Sequence, residues 1–260
     1  LEPLAFLLDD YDLAWQAYLR SGGFPRAVFE SVANGAVSQG HLRDLEAWLI
    51  GDLGADDAPD SVALLLGALV SRATSPLNLS RAARDLAYGS RNQFDRRVRR
   101  LVATFAAIEC PRRGQDGATI AGAQSKCYLA DPILAWLPSR LRAGIPEPSL
   151  TTLSEMALGA SLAIAIENLQ EGRFVVGDTI GYTRTGAGQE IDFSPVRVPA
   201  ASGSRLTVPI ESKWVSRGWR HEAKVIESKY GRGLVATRNV LRFGHPAWAV
   251  PAPLLALLLR

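Results

Sequence analysis

The residues best suited to chemistry in this chain are charged side chains inside two apolar runs. Asp192 stands in the run EIDF, and Glu211 and Lys213 stand in the run PIESKW. A charge inside a buried strand is unfavourable unless a partner or a bound ion compensates it. These residues are therefore either surface positions joined by a salt bridge between strands, or side chains that converge on a metal ion.

The alternation of side chains along a strand favours the metal site. Because the period is two residues, Glu211 and Lys213 point to one face. We predict strands over 190–198 and 206–215. If these strands pair, Asp192 can lie beside Glu211 on that face. Two close carboxylates repel each other unless a cation lies between them, and hard oxygen ligands suit Mg²⁺ or Mn²⁺.

The last part of the chain predicts a sheet that positions these residues. Its predicted elements are a helix over 153–169, strands over 174–184, 190–198 and 206–215, a helix over 219–230, strands near 234–237 and 247–250, and a terminal apolar helix. A helix that crosses between strands in this αβββαβ order implies a mixed sheet covered on both faces. We therefore predict an α/β domain here.

The middle of the chain predicts helices followed by a small hairpin. Its predicted elements are helices over 61–72, 79–88 and 91–107, strands over 107–110 and 125–130 around a Gly-rich loop at 114–122, and a closing helix over 131–141. Ser90 is a typical N-cap residue for the third of these helices. The order resembles a winged helix, whose recognition helix enters a DNA groove.

Seven arginines in this region form a candidate nucleic-acid contact. They are Arg91, Arg96, Arg97, Arg99 and Arg100 in the predicted recognition helix, with Arg112 and Arg113 in the wing. Neutralising phosphates is what such a cluster does best. The alternatives are a solvated helix face paired with Asp85 and Asp95, or a surface that docks another protein.

The charge balance also favours a polyanionic partner. Residues 1–60 hold eleven acids and three bases, whereas residues 61–260 hold twenty-six bases and fifteen acids. A basic surplus of this kind suits DNA, although it is also compatible with ordinary solubility.

We predict a helical and winged-helix region before the α/β domain. The acidic part contains amphipathic helices over 11–20 and 39–53, and the stretch RAGIPEP at 142–148 has the Gly and Pro content of a linker. The predicted domains are therefore a helical segment 1–58, a winged-helix-like domain 59–147 and the α/β domain 148–260.

Composition excludes several classes of protein. Cys110 and Cys127 are too few for a disulfide framework and lack a metal-ligand spacing, so we expect reduced thiols and a cytoplasmic location. The longest apolar stretches, 62–70 and 253–259, are shorter than the roughly 20 residues that cross a bilayer, so no membrane helix is expected. An oligomer is compatible with the sequence.

The charged motifs resemble the PD-(D/E)xK, or restriction-endonuclease-like, nuclease family. That family carries an acid and then D/E-x-K on consecutive strands of an αβββαβ core, which Asp192 and Glu211-Ser212-Lys213 match. It commonly adds a glutamate from the preceding helix, where Glu167 stands in AIENL. The resemblance implies that Asp192 and Glu211 ligate Mg²⁺ or Mn²⁺ with help from Glu167. It also implies that Lys213 orients the attacking water or stabilises charge on the phosphate.

A wider resemblance covers nearly the whole chain. The run YLRSGGFPRAV at 18–28, the winged-helix-like middle, and then GASLAIAIENL, EIDF and IESKW are similar to the C-terminal half of prokaryotic AAA-type ATPases with a nuclease-like domain. This resemblance implies that an ATPase half precedes Leu1 and is a partner in the same protein. No G-x-x-x-x-G-K-[ST] motif occurs in the sequence, so we expect no ATP hydrolysis from these residues.

Three functional hypotheses follow. The first is an enzyme in which a winged helix binds DNA and the nuclease-like domain hydrolyses phosphodiester bonds with Mg²⁺. The second is a module that does not cut and that recognises DNA or a protein partner beside the ATPase. The third makes the acidic helices of residues 1–60 a lid that regulates the ATPase.

Overall fold

The computed structural model describes residues 6–54, 59–85, 90–114, 116–169, 180–199 and 205–259. The chain divides into two compact units. The sheet unit contains Leu1–Trp15, Cys110–Ser125 and Leu158–Arg260, and the helical unit contains Gln16–Glu109 and Lys126–Ala157. Each unit combines separated stretches of chain. The division into 1–58, 59–147 and 148–260 stays a prediction.

The described elements place helices before a small mixed sheet. They are α1 (Leu8–Ser21), α2 (Pro25–Asn34), α3 (Gln39–Leu53), α4 (Pro59–Ser71), α5 (Leu79–Asp85), α6 (Arg91–Ala103), β1 (Ala107–Cys110), β2 (Lys126–Leu129), α7 (Pro132–Leu141), α8 (Leu150–Leu169), β3 (Thr183–Arg184), β4 (Glu190–Ile191), β5 (Phe193–Pro199), β6 (Arg205–Ser212), α9 (Trp219–Tyr230), β7 (Gly233–Thr237), β8 (Ala247–Pro251) and α10 (Ala252–Leu258). The mixed α/β class is confirmed at this level. The restriction-endonuclease-like and winged-helix assignments stay predictions.

The core of the helical unit forms where α3, α4 and α7 pack against one another. The apolar stripe of α3 includes Leu42 and Leu49, which are fully buried, and α4 contributes Leu65 and Leu69. Leucines at helical spacing therefore face the core, as the periodicity of α3 predicts. At about 1.5–3 kcal/mol for each fully buried leucine, this burial stabilises the packing of the three helices.

The helix that carries the arginine cluster begins as predicted and ends earlier than predicted. The Ser90 hydroxyl accepts a hydrogen bond from the N–H of Gln93 at 3.2 Å, which confirms the N-cap. The helix was predicted to continue to residue 107, but α6 ends at Ala103. Phe105 adopts a left-handed φ of 60°, which ends helical geometry without the glycine or proline that usually marks such an end.

The helix α2 was missed by the sequence prediction. Phe24 is extended, Pro25 occupies the first helical turn, and Gly35 ends the helix with a left-handed φ of 76°. Proline at the start and glycine after the end are the usual asymmetry of helix termini, so a local signal was present.

The sheet unit contains a four-stranded mixed sheet in the order β5-β6-β7-β8. The β5–β6 pair is antiparallel, whereas β6–β7 and β7–β8 are parallel. The helix α9 crosses between β6 and β7, and its Ala223 and Ile226 pack with Val235 and Ala249 of the sheet. The predicted crossover helix and mixed sheet are confirmed by this topology.

Parts of the predicted strands and helices lie outside the described residues. These are 174–179 of the first predicted strand, residues 200–204 between the next two predicted strands, and residues 86–89 of the second middle helix. The predicted strand over 190–198 is interrupted at Asp192, which separates β4 from β5. The strand predicted over 206–215 is β6, which ends at Ser212.

The helix α8 contains a segment that is both long and apolar. Its 18 residues Leu150–Glu167 have a mean hydropathy of 1.3, so by length and composition alone they could cross a bilayer. Within the protein, 67% of that segment is buried. A core helix passes the same test of length and composition, so the segment is weak evidence for a membrane.

Candidate functional site

The strand pair β5–β6 brings the two predicted acidic residues together. In the antiparallel register Phe193 lies opposite Ile210. Asp192, one residue before Phe193, is therefore beside Glu211, one residue after Ile210. This juxtaposition is confirmed by hydrogen bonds between the two segments.

Backbone hydrogen bonds hold both carboxylates in place. The N–H of Asp192 donates to Oε2 of Glu211 at 3.3 Å. In the opposite direction, the N–H of Ser212 donates to Oδ2 of Asp192 at 3.0 Å. Each carboxylate is thus fixed by the neighbouring strand, and both residues are buried, with exposures of 5% for Asp192 and 7% for Glu211.

The ammonium of Lys213 completes the group, which we term the Asp192 site (Asp192, Glu211 and Lys213). Its Nζ lies 2.9 Å from Oε1 of Glu211 and 3.9 Å from Oδ2 of Asp192. The backbone N–H of Lys213 donates to the carbonyl of Ala236 in β7 at 2.8 Å. Because the Lys213 side chain is 34% exposed, the site is reached from solvent on the side of the ammonium.

The site carries more acid than base, and the pKa of Glu211 responds to this. Burial, followed by the negative charge of Asp192, raises the pKa of Glu211 to about 8, although Lys213 acts in the opposite direction. Burial alone would lower the pKa of Lys213, but the two carboxylates outweigh it and the pKa is raised. With both acids ionised, two negative charges face one positive charge, so a further cation is favourable.

Asp192 and Glu211 are the residues that could hold a metal ion. Their carboxylate oxygens are hard ligands, and Mg²⁺ commonly binds through one or two carboxylates while keeping several waters. Among the described residues there is no group of three or more His, Cys, Asp or Glu side chains suited to a metal. Glu167 is exposed near the end of α8 and does not join such a group, so its assisting role stays a prediction.

The arginines of α6 are mostly exposed on the helical unit. Arg91, Arg96, Arg99 and Arg100 are exposed, and Arg97 is partly buried. Arg99 pairs with Asp95 at 3.0 Å, and the guanidinium of Arg100 donates to the carbonyl oxygen of Asp52. Part of this cluster therefore makes contacts within the protein, as the alternative of a solvated helix face requires.

The two arginines of the predicted wing belong to the sheet unit. The backbone of Arg112 forms an isolated parallel β-bridge with Tyr182. The backbone N–H of Arg113 donates to the carbonyl of Tyr182 at 2.8 Å. The structure therefore places these two residues beside the start of β3. In sequence, the paired strands β1 and β2 lie before and after this segment.

A long-range ion pair supports the segment that follows the site, and sequence reasoning missed it. The buried carboxylate of Asp12 accepts three hydrogen bonds from Arg238, at 3.0, 3.0 and 2.7 Å. The guanidinium lies 5.6 Å from the ring centre of Trp214, and the N–H of Arg238 donates to the carbonyl of Val215. No local sequence signal links positions 12 and 238, so only tertiary structure reveals the contact.

Comparison of the chain with protein-family models, with curated proteins and with solved structures gave no match. The function of the Asp192 site must therefore follow from its residues and their geometry.

Proposed function

We propose that the sheet unit is a Mg²⁺- or Mn²⁺-dependent nuclease that hydrolyses DNA phosphodiester bonds. The observation that carries the proposal is the Asp192 site itself: two buried carboxylates on adjacent segments and an ammonium within 3.9 Å of both. Carboxylates paired in this way favour a cation, and a divalent ion beside an ammonium suits a substrate with anionic phosphates.

The residues of the site have separable roles in this proposal. Asp192 and Glu211 hold the metal ion through oxygens that the backbone already orients. When bound, the ion supplies Lewis acidity and a water of lowered pKa. Lys213 orients the attacking water or stabilises negative charge on the phosphate, and Glu167 assists at the metal.

The same proposal assigns the finer folds and the other partners. The sheet unit is a restriction-endonuclease-like fold, the middle of the chain is a winged helix, and the whole is the C-terminal part of a cytoplasmic AAA-type ATPase. DNA phosphates contact Arg91, Arg96, Arg97, Arg99, Arg100, Arg112 and Arg113. Support comes from the αβββαβ motif order, the exposed arginines of α6 and the basic balance after residue 60.

Replacement of the ammonium tests the enzyme directly. Lys213→Ala is expected to lower Mg²⁺-dependent nicking of supercoiled DNA by at least about a hundredfold, because a lost electrostatic donor costs roughly that factor. Lys224→Ala is the matched control, since Lys224 is an exposed lysine on α9. Circular dichroism must show that both variants fold. Nicking by a folded Lys213→Ala protein at the rate of the control would contradict the proposal.

A second candidate is a module that binds DNA or a protein partner without cutting. Two observations favour it. Lys213 already compensates the charge of Glu211 through the 2.9 Å contact. Among the described residues, no third acidic, histidine or cysteine side chain joins the two carboxylates. Titration calorimetry with Mn²⁺ separates the candidates. Binding that Asp192→Asn abolishes supports the enzyme, and absence of binding by the folded wild-type protein supports the module.

A further inference from the structure

A cavity in the sheet unit has the chemistry of an anion site. Its volume is about 480 Å³. Three cations line it, from Arg113, Arg184 and Lys229, together with the neutral polar side chains of Thr185, Gln189 and Ser228. None of the described residues that line it is acidic. Cations with hydroxyl and amide groups beside them are the groups that bind phosphate.

We propose that this cationic cavity binds a backbone phosphate of the DNA strand that reaches the Asp192 site. The identity of the anion as a DNA phosphate rests on the proposed function, whereas the anion-binding chemistry rests on the cavity alone. The cavity would hold the strand through a phosphate other than the one that is cleaved.

The three cations differ in how strongly other groups in the protein already compensate them. Arg184 forms an ion pair with Glu190 at 2.9 Å, which leaves less of its charge for a ligand. Lys229 lies 5.3 Å from the ring centre of Tyr230 and forms no ion pair among the described residues. The charge of Lys229 is therefore less compensated than that of Arg184, and Arg113 adds a further positive charge to the lining.

Backbone groups of neighbouring residues fix the position of the Arg113 side chain. Its Nη1 donates to the carbonyl of Gly117 at 3.2 Å, which helps to hold the guanidinium in place. A Cβ atom at Gly181 would overlap Cγ of Arg113 and lie 2.7 Å from its Nε. The aliphatic part of the Arg113 side chain therefore packs against the backbone at Gly181, where any larger residue would clash with it.

The hairpin β3–β4 connects the cavity with the Asp192 site. Its turn, from Thr185 to Gln189, contributes to the lining, as does Arg184, which pairs with Glu190 in the register. Gln189 precedes Asp192 by three residues, about 10 Å along an extended chain. One strand of DNA advances about 3.4 Å per nucleotide, so about three nucleotides would join the two places.

Binding without catalysis tests the cavity. A fluorescein-labelled DNA oligonucleotide is titrated in EDTA, and its anisotropy is followed at several salt concentrations. The double variant Arg113→Gln and Lys229→Gln is expected to bind at least about tenfold more weakly, with a salt slope reduced by about one for each cation removed. The matched control is Lys224→Gln with Arg232→Gln, which removes two exposed cations that do not line the cavity. Equal affinity of the two double variants would overturn the proposal.

Gly181→Ala gives a second test that leaves every charge in place. Because the added methyl group displaces the stem of Arg113, DNA affinity is expected to fall several-fold in the protein that remains folded by circular dichroism. If this variant does not fold, the Lys229→Gln single variant replaces it, since Lys229 lies on the surface of α9 and holds no loop. Wild-type affinity of the folded variant used would contradict the proposal.

Two further comparisons assign the source of the phosphate and separate this proposal from the proposed function. In a nuclear magnetic resonance titration with inorganic phosphate, the amide signals of Gln189 and Ser228 are expected to shift and to be displaced by the oligonucleotide. Phosphate binding that the oligonucleotide does not displace would overturn the assignment to DNA. If the nuclease proposal is wrong, Lys213→Ala nicks DNA as well as the wild-type protein does. That result says nothing against the cavity, which is tested separately by DNA binding in EDTA.

Discussion

Two of the buried charged groups that the structure describes, one in each unit, differ in balance and access. In the helical unit, Lys126 is fully buried, its Nζ lies 3.0 Å from Oε1 of Glu155, and the hydroxyl of Tyr128 donates to the same oxygen at 2.8 Å. We term these three residues the Lys126 cluster. In the Asp192 site, two carboxylates face one ammonium whose side chain is 34% exposed. The first group joins one ammonium to one carboxylate and is closed, whereas the second joins one ammonium to two carboxylates and is open.

The contrast separates a structural ion pair from a site that favours a ligand. A closed pair with equal charges needs no ion from solvent, and its strength depends on keeping both members. An open site with one excess carboxylate stays unfavourable until a proton or a metal ion enters. Burial is the main reason that the pKa of Glu211 is raised to about 8, and the negative charge of Asp192 adds to it.

The largest expected effect is a loss of stability in the closed cluster. Glu155→Gln leaves the charge of Lys126 buried without its carboxylate, so the free energy of unfolding is expected to fall by about 3–5 kcal/mol in urea denaturation. The double variant Lys126→Met and Glu155→Leu is the control, since apolar residues of similar volume recover most of the loss. If the free energy of unfolding of Glu155→Gln lies within about 1 kcal/mol of the wild-type value, the closed cluster does not depend on its ion pair as the contrast with the open site requires.

A smaller effect of opposite sign is expected in the open site. In the unfolded chain Glu211 ionises near its ordinary pKa of 4.5, whereas in the native state it holds its proton to about 8. Its contribution to stability is therefore complete below pH 4.5 and is lost as pH rises through about 8, at up to about 1.4 kcal/mol per pH unit. Glu211→Gln is expected to flatten this fall, so that in urea denaturation at pH 9 the variant is more stable than wild type by about 2 kcal/mol. A variant that follows the wild-type pH profile would show that Glu211 is not the titrating group.

The smallest effect concerns metal affinity. Because the metal must displace the proton of Glu211, Mn²⁺ affinity in calorimetry is expected to rise about fivefold between pH 7 and pH 8 and to level off above about pH 9. Tyr128→Phe, in the closed cluster, serves as the control and is expected to leave this profile unchanged. Affinity that does not depend on pH would mean that Glu211 is ionised before the metal arrives.

The sequence predicted the open site because its signal is local. A period of two residues fixes the faces of Glu211 and Lys213, and the apolar residues of the two neighbouring runs favour a register that brings Asp192 beside Glu211. The same locality explains why α3 and α9 were predicted with their observed bounds. Turn and helix signals over a dozen residues are sufficient for such elements.

Other features depend on contacts between distant stretches, and no local pattern predicts them. The cationic cavity is assembled from three separated stretches that contribute Arg113, the β3–β4 hairpin and Lys229. The end of α6 near Phe105 carries no glycine or proline, so the usual local end signal is missing there. The assisting role of Glu167 likewise requires the placement of a helix end that the sequence alone does not fix.

The ion pair between Asp12 and Arg238 ties the order of folding to the order of the chain. It joins residues 226 positions apart, and the entropy lost on closing a chain segment grows with its length. Contacts of such high sequence separation slow folding, so the segment after Lys213 gains this support only after Asp12 and Arg238 meet. During synthesis, Asp12 is made 226 residues before its partner, and a fragment that begins at residue 158 would lack this carboxylate altogether.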